Sequence, residues 1–598
     1  MNNLYTEEIN EPVKEYGSRL KDEFREKAAE TFERLFQQSG VDAEANAITA
    51  AKIHKLEEQI SNISSTLSVL NFFRGMFIVI AIAGGIIFVL FLLHQIWHSF
   101  PEFVTSILWG LGGLFAAILS LVLVFAVFNG KIANVNKLLE EKRNMLSQEM
   151  AEAYKQMAPL NQLFQWDTVT KIITEVCPML TFDKFFSQAR MQELIEHFCW
   201  RPSVSDKHSI LFCHSGAING NAWVMAESLN FYWGSKTYTG TLDIEWEERE
   251  SYYDSNGKKC YRWVTKRQTL RASVNKPFPE YYREKFLLYG NGAAPDLVFS
   301  RKPSGLADCG NGFFDKHKLK SAIKNLEKMT NDLKTDFTIM SNEEFDATFA
   351  ALDRNNEHQF RLLFTPLAQQ EMLNLLRDRE QGFGDDFLFR KTYMINMLIP
   401  KHLENVDITA SPTIFQHYEL AESRRIFNEY SNDFFHHIFF AFAPLLAIPL
   451  YQQNESDHDI FKDEFAYTAS VWEHEAVANS YNQDKFRHRD SVTLNIMKTE
   501  AAKCADGSTQ LRVTAHGYRE ESRTDYVSVY GNDGHWHDVP VPWLEYIHVQ
   551  HTSPLIMRET AGLDSNECGE EVSKFTTCKP NQDGIKYLKS ILSFIPQK

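Results

Sequence analysis

Most signatures that would identify an enzyme at sight are missing from this chain. There is no Walker A loop, Rossmann glycine fingerprint, HExxH pair, nucleophile elbow or kinase signature. No CxxC occurs either. The eight cysteines (Cys177, Cys199, Cys213, Cys260, Cys309, Cys504, Cys568 and Cys578) are scattered, which excludes zinc-ribbon and thioredoxin-like chemistry. So sparse a set fits a reducing compartment better than a disulfide framework. Positive charge is in deficit, with 62 Lys and Arg against 78 Asp and Glu and a net charge of −16. Neutralising phosphates needs a basic surplus or a strong patch, so nucleic acid is not an expected partner. The first forty residues lack an apolar run, and no cleavable signal peptide is expected.

Long uncharged stretches, by contrast, are present. Gly75 to Leu93 is 19 residues without a charge and Phe103 to Phe128 is 26. About 20 apolar residues cross the hydrocarbon core of a bilayer, so both qualify as spans, placed at about 73–95 and 103–128. The alternative, a buried helical hairpin in a soluble core, is disfavoured because core helices of this length keep a polar face. The connector, His94 to Glu102, holds no Lys or Arg. Lys52, Lys55 and Arg74 precede the first span, and Lys131, Lys137, Lys142 and Arg143 follow the second. The positive-inside rule then places both flanks in the cytoplasm. Trp97, Phe100 and Trp109 would form an outer aromatic belt. Ala81 with Gly85 and Gly112 with Ala116 offer small residues at the spacing that lets spans approach. Neither run contains an ionisable residue, which argues against an ion or proton path.

The spans are flanked by a heptad seam. Ile53, Leu56, Ile60, Ile63, Leu67 and Leu70 alternate by three and four, as in a coiled coil. Ile132, Val135, Leu139 and Leu146 continue a seam on the far side, broken by Lys142. Folding about the connector pairs Ile63 with Ile132, Ile60 with Val135, Leu56 with Leu139 and Gly85 with Gly110. The expectation is an antiparallel stalk; the alternative is that each stretch packs on the globular part. Ahead of it, Tyr16, Leu20, Phe24, Phe32 and Leu35 mark an amphipathic helix. Gly40 would stop it and Asp42 would cap the next.

Beyond Leu160 the pattern is mixed. Residues 167–199 read as helix. Leu242, Ile244 and Trp246 alternate as a strand before Asn256-Gly257, a hairpin signal requiring positive φ at both positions. Val492, Leu494 and Ile496 alternate before Asp506-Gly507, so a duplicated β-meander is one option. Between them, Ser341 with Glu344 suggests a capping box and Thr365-Pro366 a helix start. The strongly apolar 434–450 stretch reads as a buried or interface-contacting segment, with a third span as the alternative. The fold class expected is α+β: a transmembrane helical hairpin, an antiparallel coiled-coil stalk, and a large head of β-meander units and helices. The regions are an amphipathic helix over 1–40, stalk 41–70, hairpin 71–128 and returning stalk 129–160. An α+β lobe over 161–310, a helical region over 311–450 and a second β-rich lobe over 451–598 complete the chain.

Candidate chemistry is thin. His535 and His537 share a strand face if the segment is extended, and His548 and His551 follow. These four are the metal-ligand candidates, although zinc needs three or four converging ligands. Asp385-Asp386 could bind a cation or cap a helix. Cys213-His214 sets a thiol beside an imidazole, though catalytic pairs are normally remote in sequence. Gly290-Asn291-Gly292 resembles a loop near a ligand, but such glycines also simply form turns. No catalytic residue and no cofactor is assigned. The expected function is a membrane-anchored cytoplasmic binding or scaffold protein, held in a cell (inner) membrane by two spans. Its partners would be the lipid bilayer and either a protein or a second copy. The rivals are a membrane-tethered, metal-dependent hydrolase-like enzyme and a membrane-acting effector.

Overall fold

The computed structural model describes residues 8–97, 103–202, 205–307, 313–331, 337–454, 467–505, 507–560 and 585–596. Within them the protein is mixed α+β, with two long apolar helices and two antiparallel sheets. Its chain divides into two compact units. One is Ala29–Gln165 with Ser411–Glu429; the other is Met1–Ala28, Trp166–Ala410 and Tyr430–Lys598.

In the helical unit, α1 (Lys21–Ser39) stops where Gly40 adopts φ +64°, and Asp42 accepts from the amides of Glu44 and Ala45 at 3.0 and 3.1 Å. That cap opens α2 (Ala43–Trp97), 55 residues and so about 80 Å long. It is followed by α3 (Phe103–Val122), a π-helical stretch Leu123–Phe128, and α4 (Asn129–Asn161). The heptad residues are the shielded ones: Ile53, Leu56, Ile60, Ile63, Leu67 and Leu70 on α2, and Ile132, Val135, Leu139, Lys142 and Leu146 on α4.

Two details depart from expectation. Ile53 shares a buried cluster with Leu146, Met150 and Ala153, whereas the pairing of Leu56 with Leu139 would have set it opposite Lys142. The offset is already present on the connector side of the π stretch, where a Cβ on Gly110 would meet the Phe91 ring rather than Gly85. The small residues in contact are also shifted by one. A Cβ on Gly84 would lie 2.5 Å from the Gly113 carbonyl oxygen and 3.3 Å from Ala117 Cβ, while Gly85 and Gly112 face open space. One residue turns a helix face by about 100°, and Gly113 with Ala117 repeats the four-residue spacing on the adjoining face. Phe100 lies outside the described residues, as do the side chains of Trp97 and Trp109, so the aromatic belt is not described.

The β-rich unit holds both sheets. The first has seven strands: β1 (Leu180–Phe182), β2 (His208–Ile218), β3 (Asn221–Tyr253), β4 (Lys259–Gly290), β5 (Val298–Arg301), β6 (Phe387–Thr392) and β7 (Ile395–Pro400), in the order β1-β2-β3-β4-β7-β6-β5. The second has five: β8 (Ile496–Lys503), β9 (Thr509–Tyr530), β10 (Trp536–Glu559), β11 (Lys586–Leu588) and β12 (Ile591–Phe594), ordered β11-β12-β10-β9-β8. β3 and β4 run 33 and 32 residues, several times the usual strand length of about 5–6. They pair as one ribbon from Trp223–Tyr289 to Tyr253–Lys259. The β9–β10 ribbon lies on its face, where Ile244, Leu270, Ala272, Val539 and Val541 form a core. Gly240 permits the approach, because a Cβ there would sit 2.0 Å from the Pro540 carbonyl oxygen.

The hairpin turns differ from the expected two-residue kind. Asp254 N donates to Lys258 O at 3.0 Å, Gly257 N to Asp254 O at 3.0 Å, and only Gly257 has positive φ. This is a three-residue loop closed by a left-handed glycine. The same bonds recur at 504–508 and 531–535, closed by Gly507 and Gly534. Asp506 itself lies outside the described residues.

Several helix expectations also shift. The 167–199 segment is broken: Thr168–Val176 is helical, Pro178 follows its end, and β1 intervenes before Gln188–Gln192. Asn342, not Ser341, caps Glu343–Phe349, accepting from Phe345 N at 3.1 Å. Thr365 does cap the helix Pro366–Arg377, with proline at its first position. Val492 and Leu494 precede β8 and are exposed.

The apolar 434–450 stretch is core. Helix α5 (Leu420–Leu446) enters this unit at Tyr430, and from Phe434 to Leu446 its apolar side chains are buried. Phe24 stacks on Phe435 with ring centroids 4.2 Å apart, and Trp223 meets Phe442 at 5.0 Å. Pro444 occupies the last turn and Pro449 opens the next helix, so neither interrupts the buried part.

Candidate functional site

The four histidines singled out above all lie on or beside the β9–β10 ribbon, but they do not converge. His535 is in the closing loop, where its amide donates to Asp533 Oδ1 at 3.1 Å. His537 Nε2 is 2.8 Å from Asp533 Oδ2. His548 Nε2 lies 3.2 Å from His516 Nδ1, and His551 Nδ1 lies 3.0 Å from the Phe486 carbonyl oxygen. His537 and His548 are eleven strand steps apart, on the order of 35 Å. Among the described residues no three His, Cys, Asp or Glu side chains are placed to hold a metal ion.

The other sequence candidates have structural partners. Asp385 pairs with the buried Arg301 and accepts from Ser304 N at 2.9 Å. Asp386 accepts from the amide of His402 at 3.1 Å and holds its Nδ1 at 2.5 Å. Asn291 is fully buried and donates to Tyr289 Oη at 2.9 Å and to the Tyr451 carbonyl at 3.0 Å. The Lys391 amine is buried in the same network, donating to Ala293 O at 3.1 Å, and burial pulls its pKa down to about 7. This loop is therefore locked into the core.

What the sequence reading missed is a buried ionic cluster on α6 (Val471–Asn479). Ser470 caps this helix, and Glu473, His474 and Glu475 follow in its first turn, all buried. Glu473 receives the Lys589 amine at 2.8 and 2.9 Å, the Phe186 amide at 3.0 Å and the Cys213 thiol at 3.3 Å. Glu475 takes Lys498 at 2.9 Å and the Ile210 amide at 2.9 Å. Burial, and then the Glu473 carboxylate, push the Cys213 thiol well up, so it stays protonated. His214, on the opposite face of β2, is drawn down to about 3 by burial and then by the Lys589 cation. Cys213 and His214 therefore do not form a reactive pair. The signal was present in the sequence, since three ionisable residues sit between Trp472 and Ala476-Val477-Ala478 in a helix with no polar face.

A second assembly surrounds Phe383. Its ring lies 4.0 Å from that of His402 and 4.8 Å from those of His436 and His437, all stacked. Tyr16 stacks on the far side of His436 at 5.4 Å. Asp433 is 3.6 Å from His437, and burial lowers the pKa of His436 and takes that of His437 to about 4. No protein-family model, no curated protein and no solved structure matches this chain.

The ionisable groups here are paired or packed: Glu473 with Lys589, Glu475 with Lys498, Asp386 with His402. Such pairs fix one arrangement of a core; a catalytic group instead needs a free face toward a substrate. The exposed chemistry lies elsewhere, on the outer faces and tips of the two ribbons, where Tyr253, Tyr261, Trp263, Tyr526, Tyr530 and Trp536 stand in solvent.

Proposed function

We propose that this chain is a membrane-anchored binding or scaffold protein. In this reading 75–93 and 103–128 cross a bilayer as a hairpin, and the adjoining parts of α2 and α4 form an antiparallel coiled-coil stalk. The β-rich unit is the part that binds. The observation that carries the reading is the apolar surface of α2, α3 and the π-helical stretch after α3, where Phe72, Phe115 and Phe125 are 71, 69 and 69% exposed amid Val79, Ile82, Ile86, Leu90 and Ile118. A surface of that extent is a liability in water and matches lipid. The uncharged connector and the Lys/Arg-bearing flanks support a cytoplasmic location for both flanks. Binding is favoured over catalysis because the acids, bases and thiol gathered in the core serve one another as partners.

Alkaline carbonate extraction of cell membranes tests the anchor: the full chain should stay in the pellet. Affinity capture from a mild detergent extract tests the binding role and should recover a stoichiometric protein partner or a second copy. Recovery of the chain alone under several extraction conditions would count against it.

A further inference from the structure

The two ribbons are not equally long. The β9–β10 turn ends about two thirds of the way along the other ribbon, since Asn532 N donates to Gln268 Oε1 at 2.8 Å and a Cβ on Gly531 would lie 2.9 Å from Ile244 Cδ1. Beyond that point β3 and β4 continue as a bare two-stranded finger. From residue 245 to Tyr253 this is about 30 Å. Isolated two-stranded hairpins are marginally stable in water, and exposed aromatics add to the liability.

This finger carries aromatics on both faces. Register places Arg249 opposite Trp263, Ser251 opposite Tyr261, and Tyr253 opposite Lys259 on one face. Tyr253, Tyr261 and Trp263 are 70, 53 and 68% exposed there. Tyr252, also exposed, lies on the other face opposite Cys260. The tip is basic in an otherwise acidic chain. Between Arg249 and Trp263 stand Arg249, Lys258, Lys259 and Arg262 against Glu250 and Asp254. Both acids are engaged within the finger: Glu250 with Lys266 at 3.3 Å and Arg262 at 3.7 Å, Asp254 with the amides of Asn256 and Lys258 at 2.9 Å. Arg249 lies 4.1 Å from the Tyr261 ring centroid, and among the described residues neither it nor Lys258 nor Lys259 has a carboxylate partner. Glu247 and Glu248 stand behind, toward the ribbon core.

We propose that this finger inserts its tip into the headgroup region of an anionic phospholipid bilayer. A protein surface would cover one face of a hairpin, whereas a bilayer interface surrounds it, and this finger has apolar rings on both sides. Trp and Tyr settle at headgroup depth, and each nearby Lys or Arg adds about 1 kcal/mol toward anionic lipid. The proposal rests on the membrane reading above, since it needs a bilayer within reach.

The full chain, reconstituted in vesicles of brominated phosphatidylcholine with or without phosphatidylglycerol, tests it. The Trp263 signal is the fluorescence difference between the native chain and Trp263→Phe. It should be quenched in the anionic vesicles and much less in the neutral ones. Lys259→Ala and Arg249→Ala, both at exposed positions, should each lower the engaged-to-free ratio roughly fivefold. Equal absence of quenching in both lipids would overturn the proposal. So would crosslinks through the finger to a second copy or another protein without quenching. Failure of the chain to enter vesicles at all would instead refute the anchor, so the two failures are distinguishable.

Discussion

Glu473 shows how far single side chains decide this core. It is fully buried, and Lys589 is the cation that balances it. Removing one partner strands a charge, so Lys589→Met should cost about 3–5 kcal/mol in denaturant melts. The double variant Glu473→Leu with Lys589→Met should recover most of that; no recovery would mean that the pair is not what the site depends on. His474, His214 and His437 make an acid-sensitive set, held by burial at about 4, 3 and 4 against an ordinary 6.5. Their folded pKa values lie below the unfolded ones, so the unfolded chain takes up protons first as pH falls. Stability should be full above pH 6.5 and decline toward pH 4, and a flat profile of melting temperature would contradict this. Among the described residues the Nε2 of His474 has no hydrogen-bond partner. His474→Leu should therefore be neutral or stabilising by about 1 kcal/mol, and should flatten part of the acid slope. The sequence shows ionisable residues in an apolar run here but not their partners, because adjacency in a chain does not show which side chains meet. Glu473 finds Lys589 across 116 positions.

Elements were legible where a period was long and sustained. The heptad residues of α2 and α4 are the shielded ones, and the ribbons begin and end near the alternating runs and glycine turns. What the period did not specify was register. A choice between two small-residue faces one residue apart cannot be made from spacing alone. Turn type was missed for a related reason: Asn-Gly marks a tight turn, but whether two or three residues close it depends on the strands it joins. The register has a direct readout. Lys52 and Glu149 lie 3.8 Å apart, so carbodiimide should join them within one chain, seen as a linked peptide from monomeric protein. A link found only between chains would replace the intramolecular pairing by an oligomeric one. Gly84→Val should separate α2 from α3, because its side chain would meet the Gly113 backbone.

For the whole molecule, composition already indicated an acidic protein with two long uncharged runs, and among the described residues these fall in the two helices long and apolar enough to cross a membrane. The third apolar stretch, 434–450, had a different fate. It carries His436 and His437, with Pro444 in its last turn, and it is buried on every side by aromatic neighbours from β2, β3 and the N-terminal helix. Exposure separates the cases: the apolar side chains of α2 and α3 stand open, whereas those of α5 from Phe434 onward are buried. The candidate site was less legible than the fold, because neither the finger nor the α6 cluster has a motif, only a position. The central claim is that α2 and α3 hold the chain in a bilayer. Carbonate extraction of membranes, comparing the full chain with one lacking residues 71–128, tests it most directly. The account predicts that the full chain remains in the pellet and the shortened chain moves to the supernatant; release of the full chain would contradict it.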